Sequence, residues 1–121
     1  MKTRATGQLG EKLAQDFLKG CGYQIVETNY RSRDGEVDII VSKDGVLVFV
    51  EVRAKSSRNF GTPEESVTQR KKQKLVLVAQ DYVQTHGMQE SPWRIDFVAV
   101  ELDNNRKAVR IEQFENAVGE E

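Results

Sequence analysis

Apolar positions along the chain change period several times, and each change marks an element. Leu9, Leu13, Ala14, Phe17 and Leu18 fall on one arc of a helical wheel. They predict a first helix with Thr6 as N-cap, ending near Lys19, with Gly20 and Gly22 as stop signals. Gly7, Gly10 and Ala14 share that arc, where small side chains let a helix approach a sheet closely. Tyr23–Asn29 reads as a strand with weak alternation, and Arg31–Gly35 as a loop. Glu36–Val41 and Val46–Arg53 are rich in β-branched residues and predict two more strands. Asp44-Gly45 between them is a two-residue hairpin signal. Ser56–Pro63 is a polar loop. A second helix is predicted from Glu64 or Ser66 to Thr85, with Leu75, Val78, Ala79, Tyr82 and Val83 facing the core. Pro92–Glu101 gives a fourth strand, Asp103–Arg106 a turn and Ala108–Phe114 a fifth strand. The order αβββαββ predicts an α/β fold, a mixed five-stranded sheet flanked by helices, as a single domain over residues 1–121.

The hairpin fixes a register. If Lys43 pairs with Val46 across Asp44-Gly45, then Val41 faces Val48, Ile39 faces Val50 and Val37 faces Val52, an apolar face throughout. On the other face Ile40 meets Phe49, Asp38 meets Glu51 and Glu36 meets Arg53. A slip of one residue would destroy that sorting. Opposed residues on one face have Cβ atoms roughly 4.5–5.5 Å apart, where like charges destabilise. Two acids embedded in the runs IIV and VLVFV therefore need a reason. A divalent cation supplies one, with metal-assisted phosphodiester hydrolysis as the chemistry. The plainer alternative is that both acids merely flank the hairpin, with Glu51 paired to Arg53 or to a loop lysine.

Composition narrows the cation. The 121 residues are 38% hydrophobic and 31% charged, as in an ordinary globular protein. One cysteine and one histidine exclude a disulfide within the chain and nearly exclude a zinc site of the thiolate or imidazole kind. Carboxylates leave Mg²⁺ or Mn²⁺. The Met1–Gly10 segment lacks the apolar run of a signal peptide, and no run reaches membrane-span length, so a cytoplasmic location is expected. The formal net charge of −1 does not advertise nucleic-acid binding. Its distribution does: Arg53, Lys55, Arg58, Arg70, Lys71, Lys72 and Lys74 cluster against only Glu64 and Glu65.

GEVDII (Gly35–Ile40) followed by VFVEVRAK (Val48–Lys55) resembles the core motif of the PD-(D/E)XK nuclease superfamily. Over nearly its full length the chain is similar to the YraN-like family of bacterial proteins, which resemble archaeal Holliday junction resolvases. The matching segments are GQLGEKLAQDFL, NYRSRDGEVDII, VFVEVRAK, SVTQRKKQKL and RIDFVAV. The resemblance implies a restriction-endonuclease-like fold, with Asp38 and Glu51 as metal-binding acids. It implies that Glu11, on the first helix, joins the metal site; a first-turn glutamate that complements the helix dipole is the alternative. Arg53 departs from the motif, which expects lysine. Arginine stays charged and cannot act as a base, although it can bind phosphate. Lys55 has the same strand parity and is a candidate for the missing amine.

Arg70, Lys71 and Lys74, at the start of the second helix, are expected to contact phosphates, together with Arg31 and Arg58 from loops. Arg33 lies in the same loop as Arg31, and for both plain loop solubility is the equal alternative. Gln73 corresponds roughly to a residue that many superfamily helices aim at the active site. Glu36 is expected to pair with Arg53, and Arg94 with Asp96 across strands. His86 and Gly87 end the second helix, Trp93 and Tyr82 belong to the core, and Cys21 is expected to be buried and inert. The expected function is Mg²⁺- or Mn²⁺-dependent endonucleolytic cleavage of DNA, more than of RNA, with branched DNA suggested by the resolvases. A homodimer would suit that substrate. The alternative is a nucleic-acid-binding protein that keeps the fold without turnover.

Overall fold

The computed structural model describes residues 4–56 and 61–119. Its elements are α1 (Arg4–Gly20), β1 (Gln24–Ser32), β2 (Gly35–Lys43), β3 (Val46–Lys55), a 3-10 turn (Glu64–Ser66), α2 (Gln69–Thr85), β4 (Trp93–Leu102) and β5 (Ala108–Phe114). The strands form one mixed sheet in the order β1-β2-β3-β4-β5. Only β3 and β4 run parallel among the described pairs, because α2 carries the chain between them. No helix among the described residues is long and apolar enough to cross a membrane.

Each face of the sheet carries one helix. Ile39, Val41, Val48, Val50, Val52, Ala54, Val98 and Val100 pack with Ala14 and Leu18 of α1. Ile40, Leu47, Phe49, Ile95 and Phe97 pack with Leu75, Val78, Ala79, Tyr82 and Val83 of α2. The closest approach is at Gly10, where a Cβ would stand 2.5 Å from the Ala54 Cβ. Both helices stop as their glycines predict. Tyr23 N–H donates to the Leu18 carbonyl and Gly22 N–H to that of Lys19, with Gly22 at φ 93. Met88 and Gly87 repeat the pattern on Val83 and Gln84. Asp44 and Gly45, at φ 51 and 81, make the tight turn of the β2–β3 hairpin.

Several expectations need correction. Thr6 is not an N-cap: α1 already starts at Arg4, and Thr6 lies buried inside it. β1 runs on to Ser32, because Arg31 pairs with Glu36 and Ser32 with Gly35, leaving a turn at Arg33-Asp34 where a longer loop was expected. The second helix does not begin at Glu64 or Ser66. Val67 is extended, and the Thr68 side chain accepts from Lys71 N–H to start α2 at Gln69. Cys21 is exposed, since it occupies the turn that ends α1. Arg94 and Asp96 pair within β4 and not across strands; Arg94 Nε donates to the fully buried Asp96 over 2.9 Å. Trp93 and Tyr82 pack edge-on against Phe49 in the core.

Candidate functional site

The β2–β3 register follows the hairpin rule from Lys43–Val46 to Ile39–Val50 and then ends. Beyond that point β2 stays with β1, through Val37–Tyr30 and Glu36–Arg31. β3 stays with β4, out to Lys55–Glu101. The two central strands therefore part, and the fork opens where Asp38 and Glu51 stand. The expected Val37–Val52 pair is lost: Val37 turns to the α2 side while Val52 stays on the α1 side. A kink at the same level in β1 accompanies the change. Asn29 has φ 53, between Thr28 and Tyr30, whose partners Ile39 and Val37 flank Asp38.

Asp38 fills the fork. Its Oδ2 accepts the backbone N–H of Val52 at 2.8 Å, so the carboxylate is fixed by a donor the ladder has released. Glu51 is 4% exposed and lies on the α2 side of β3. Its Oε2 is 3.1 Å from Arg53 Nη2, and its Oε1 is 3.9 Å from Lys71 Nζ. Burial first, then the charge of Asp38 and a hydrogen bond with it, push the Glu51 carboxyl well above the usual range, to about 8. Lys71 and Arg53 pull the other way without cancelling the effect. At neutral pH the protonated form of Glu51 is therefore favoured. Arg53 contributes one more feature: its Nε is buried and has no hydrogen-bond partner.

The other predicted residues divide. Lys55 sits further along β3 and donates to the Gly61 carbonyl over 3.3 Å. Glu11 is half-buried on α1, the helix that covers the face opposite α2. Among the described residues no three His, Cys, Asp or Glu converge closely enough to hold a metal ion, so Glu11 does not complete a triad with Asp38 and Glu51. Glu36 pairs with Arg31 over 3.1 Å and not with Arg53, because the fork separates β2 from β3 while β1 stays adjacent. Arg31 therefore already has a partner, although it is largely exposed. Arg70 and Lys74 are exposed on α2, and Lys74 lies beside the β1–β2 turn, 3.9 Å from where a Cβ on Gly35 would be. Arg58 lies outside the described residues. Gln73 lines a groove with Trp93, Arg94 and Val118 and is not brought to the carboxylates.

Two features escaped the sequence reading. Lys71 was expected on an outer phosphate-binding surface, yet it reaches Glu51. The signal was present: Lys71 precedes Leu75, Val78 and Tyr82 at helical spacing, so it extends the buried stripe of α2 by one turn. The second is Arg110 on β5, which pairs with Glu64 and Glu112, each at 2.7 Å, and with the buried Glu101. This cluster ties the 3-10 turn to the sheet beside the end of β3. Nothing in the local pattern of β5 announces it, since Glu64 is far away in sequence.

Two close carboxylates are a hard-oxygen donor set. Mg²⁺ and similar ions commonly take one or two protein carboxylates and keep several waters, so a pair suffices without Glu11. Burial and mutual repulsion of Asp38 and Glu51 are the conditions a cation would relieve. The donor set therefore fits a divalent ion.

Comparison with known proteins gives a family and no activity. A family model described as "Uncharacterised protein family UPF0102" matches residues 10–100. A UPF0102 protein of Dehalococcoides mccartyi is 48% identical over 118 residues, covering 98% of this chain and 96% of its own length. A UPF0102 protein of Moorella thermoacetica is 41% identical over 117 residues, with 97% and 98% covered. One from Alkaliphilus oremlandii is 40% identical over 111 residues, with 92% and 95% covered. With most of the chain matched by the family model and by these relatives end to end, this protein belongs to the uncharacterised family UPF0102.

Proposed function

We propose that this chain is a divalent-metal-dependent endonuclease with a restriction-endonuclease-like fold, hydrolysing phosphodiester bonds in DNA. The observation that carries the reading is the pair of buried acids, Asp38 and Glu51, held together in a fork between two central strands. Two acids buried side by side are costly unless something offsets them, and the one bond that Asp38 makes to Val52 N–H does not account for Glu51 beside it.

Asp38 and Glu51 would hold Mg²⁺ or Mn²⁺. The ion, when bound, would activate water and offset charge on the phosphoryl oxygens. The protein's own groups divide the remaining work. Asp38 is fixed by Val52 N–H and so presents its second oxygen in one direction. Arg53 cannot exchange a proton, but the part of its guanidinium that stays exposed beside Glu51 could donate to a phosphate oxygen. Lys71 brings the amine that the strand lacks, from a helix instead of from β3. Arg70 and Lys74 continue the positive charge outward along α2 and would position a nucleic-acid backbone without reading bases. Branched DNA is the substrate suggested by the resolvase resemblance, and cutting it symmetrically would require two copies of the chain.

A second reading is favoured by Arg53 itself: a nucleic-acid-binding protein on the same fold, without turnover. One experiment separates the two. The purified protein is incubated with linear, flap and four-way DNA, with and without Mn²⁺, beside Asp38→Asn and Glu51→Gln variants. Metal-dependent cutting that disappears in both variants supports the endonuclease. DNA binding without cutting, indifferent to either substitution, supports the binding protein.

A further inference from the structure

Two cations touch Glu51, and they are not equivalent. Arg53 lies on the same strand, with Nη2 at 3.1 Å and Nε enclosed. It is held by its surroundings. Lys71 stands further off, at 3.9 Å, which is beyond a good hydrogen bond and leaves a coulombic contact. Its backbone is anchored, because Lys71 N–H donates to the Thr68 hydroxyl at 3.1 Å. Its four-carbon stem is not, and it can swing about a fixed Cα. The outward direction is also charged. Lys74 follows on the same helix face, beside the β1–β2 turn.

We infer that Lys71 is a displaceable counter-ion: it stands against the ionised form of Glu51 while no divalent cation is bound, and is released toward a phosphate oxygen when one enters. The inference rests on reading Asp38 and Glu51 as a cation site, and adds a coupling between that site and the anion. A divalent ion held by Glu51 would repel an ammonium that stands 3.9 Å from that carboxylate. Arg53 cannot relieve that repulsion, because its guanidinium is enclosed on the Nε side. Lys71 can, at the cost of one weak contact. The released ammonium would then join Lys74, beside the β1–β2 turn, in meeting a backbone phosphate. Cation and anion binding thereby become cooperative.

The test is Mn²⁺ titration by calorimetry at alkaline pH, with the protein unsubstituted and as Lys71→Met, Lys71→Arg and Glu51→Gln. Lys71→Met is expected to bind Mn²⁺ roughly threefold more tightly or better, since the competing charge is gone. Lys71→Arg keeps the charge and should stay near the unsubstituted affinity, an outcome a merely structural role would not produce. Fluorescence anisotropy with a DNA duplex supplies the second arm: Mn²⁺ should strengthen duplex binding in the unsubstituted protein and much less in Lys71→Met. The same Mn²⁺-dependent gain seen with inorganic phosphate, and absent for the duplex, would assign the site to free phosphate instead. If the unsubstituted protein binds Mn²⁺, loses it on Glu51→Gln, and Lys71→Met binds no tighter, the counter-ion role is wrong while the cation site stands. If neither the unsubstituted protein nor Lys71→Met binds Mn²⁺, both ideas fall together.

Discussion

The backbone N–H of Val52 donates to the Asp38 carboxylate over 2.8 Å, at the level where a continued hairpin would have set Val52 against Val37. A side chain has taken over from the ladder. The carboxylate therefore has a structural duty as well as any chemical one. It satisfies a buried donor that the parting of β2 and β3 leaves over.

That dual duty shapes what an Asp38 substitution does. Asp38→Ala should destabilise the fold by about 1–3 kcal/mol, because Val52 N–H is left buried without an acceptor. Asp38→Asn keeps an amide oxygen that can accept the same bond, and should cost clearly less. Urea denaturation of both variants checks this. Equal stability of Asp38→Ala and the unsubstituted protein would mean that Val52 finds another acceptor and that Asp38 does not hold the fork. Loss of activity in Asp38→Ala therefore needs the Asn variant beside it.

Glu51 makes stability depend on pH in an unusual direction for an acid. Burial, and then Asp38, push its folded carboxyl up to about 8 from the ordinary 4.5. Between those two values the folded protein holds a proton that the unfolded chain has lost. The favourable contribution is complete below the unfolded value and fades as pH rises toward the folded one. Thermal unfolding should therefore show Tm falling from mildly acidic pH to about pH 8 in the unsubstituted protein. Glu51→Gln removes the titrating group and should flatten that decline. Mn²⁺ binding runs opposite, because the ion must displace the proton, so apparent affinity should rise through the same window. A Tm that climbs steadily across the window in the unsubstituted protein, and equally in Glu51→Gln, would contradict a raised Glu51.

The legible parts of the sequence were those governed by neighbours along the chain. The Asp44-Gly45 turn fixed the pairing out to Ile39–Val50, because a two-residue turn allows one register. The helix stops at Gly22 and Gly87 were equally local. The reading failed where a third element intervened. Glu36 was assigned to Arg53 from the hairpin alone, but the fork hands it to Arg31 on β1. Lys71 was placed on the outer surface because it sits in a run of cations. The α2 stripe of Leu75, Val78 and Tyr82 shows that one member of such a run can point inward. Glu11 entered only through resemblance, and the geometry keeps it out of a three-acid cluster. The start of α2 was misplaced because Glu64 and Ser66 look helical. Thr68, which caps the helix by accepting from Lys71 N–H, was the better signal.

Gly10 offers a test of how α1 is seated over the β3 strand that carries Glu51. A methyl at Gly10 would stand 2.5 Å from the Ala54 Cβ, with the Val52 Cγ1 3.8 Å away. The neighbour is a Cβ fixed to a central strand, so it cannot swing aside. In an isolated helix, glycine to alanine would stabilise by roughly 0.8–1 kcal/mol. Here overpacking should outweigh that gain, since forcing extra carbon into a close-packed core typically costs about 1–3 kcal/mol. Gly10→Ala is thus expected to lower stability, against its helix propensity. Ala54→Gly removes the opposing carbon and should restore much of the loss in the double variant, although it weakens β3 as a strand. Denaturant unfolding of the two single variants and the double variant gives the coupling directly. Additive effects, or a Gly10→Ala protein more stable than the original, would show that α1 can lift from the sheet without penalty. In that case the spacing between α1 and β3 would not be what keeps Ala54, and the strand leading back to Glu51, in place.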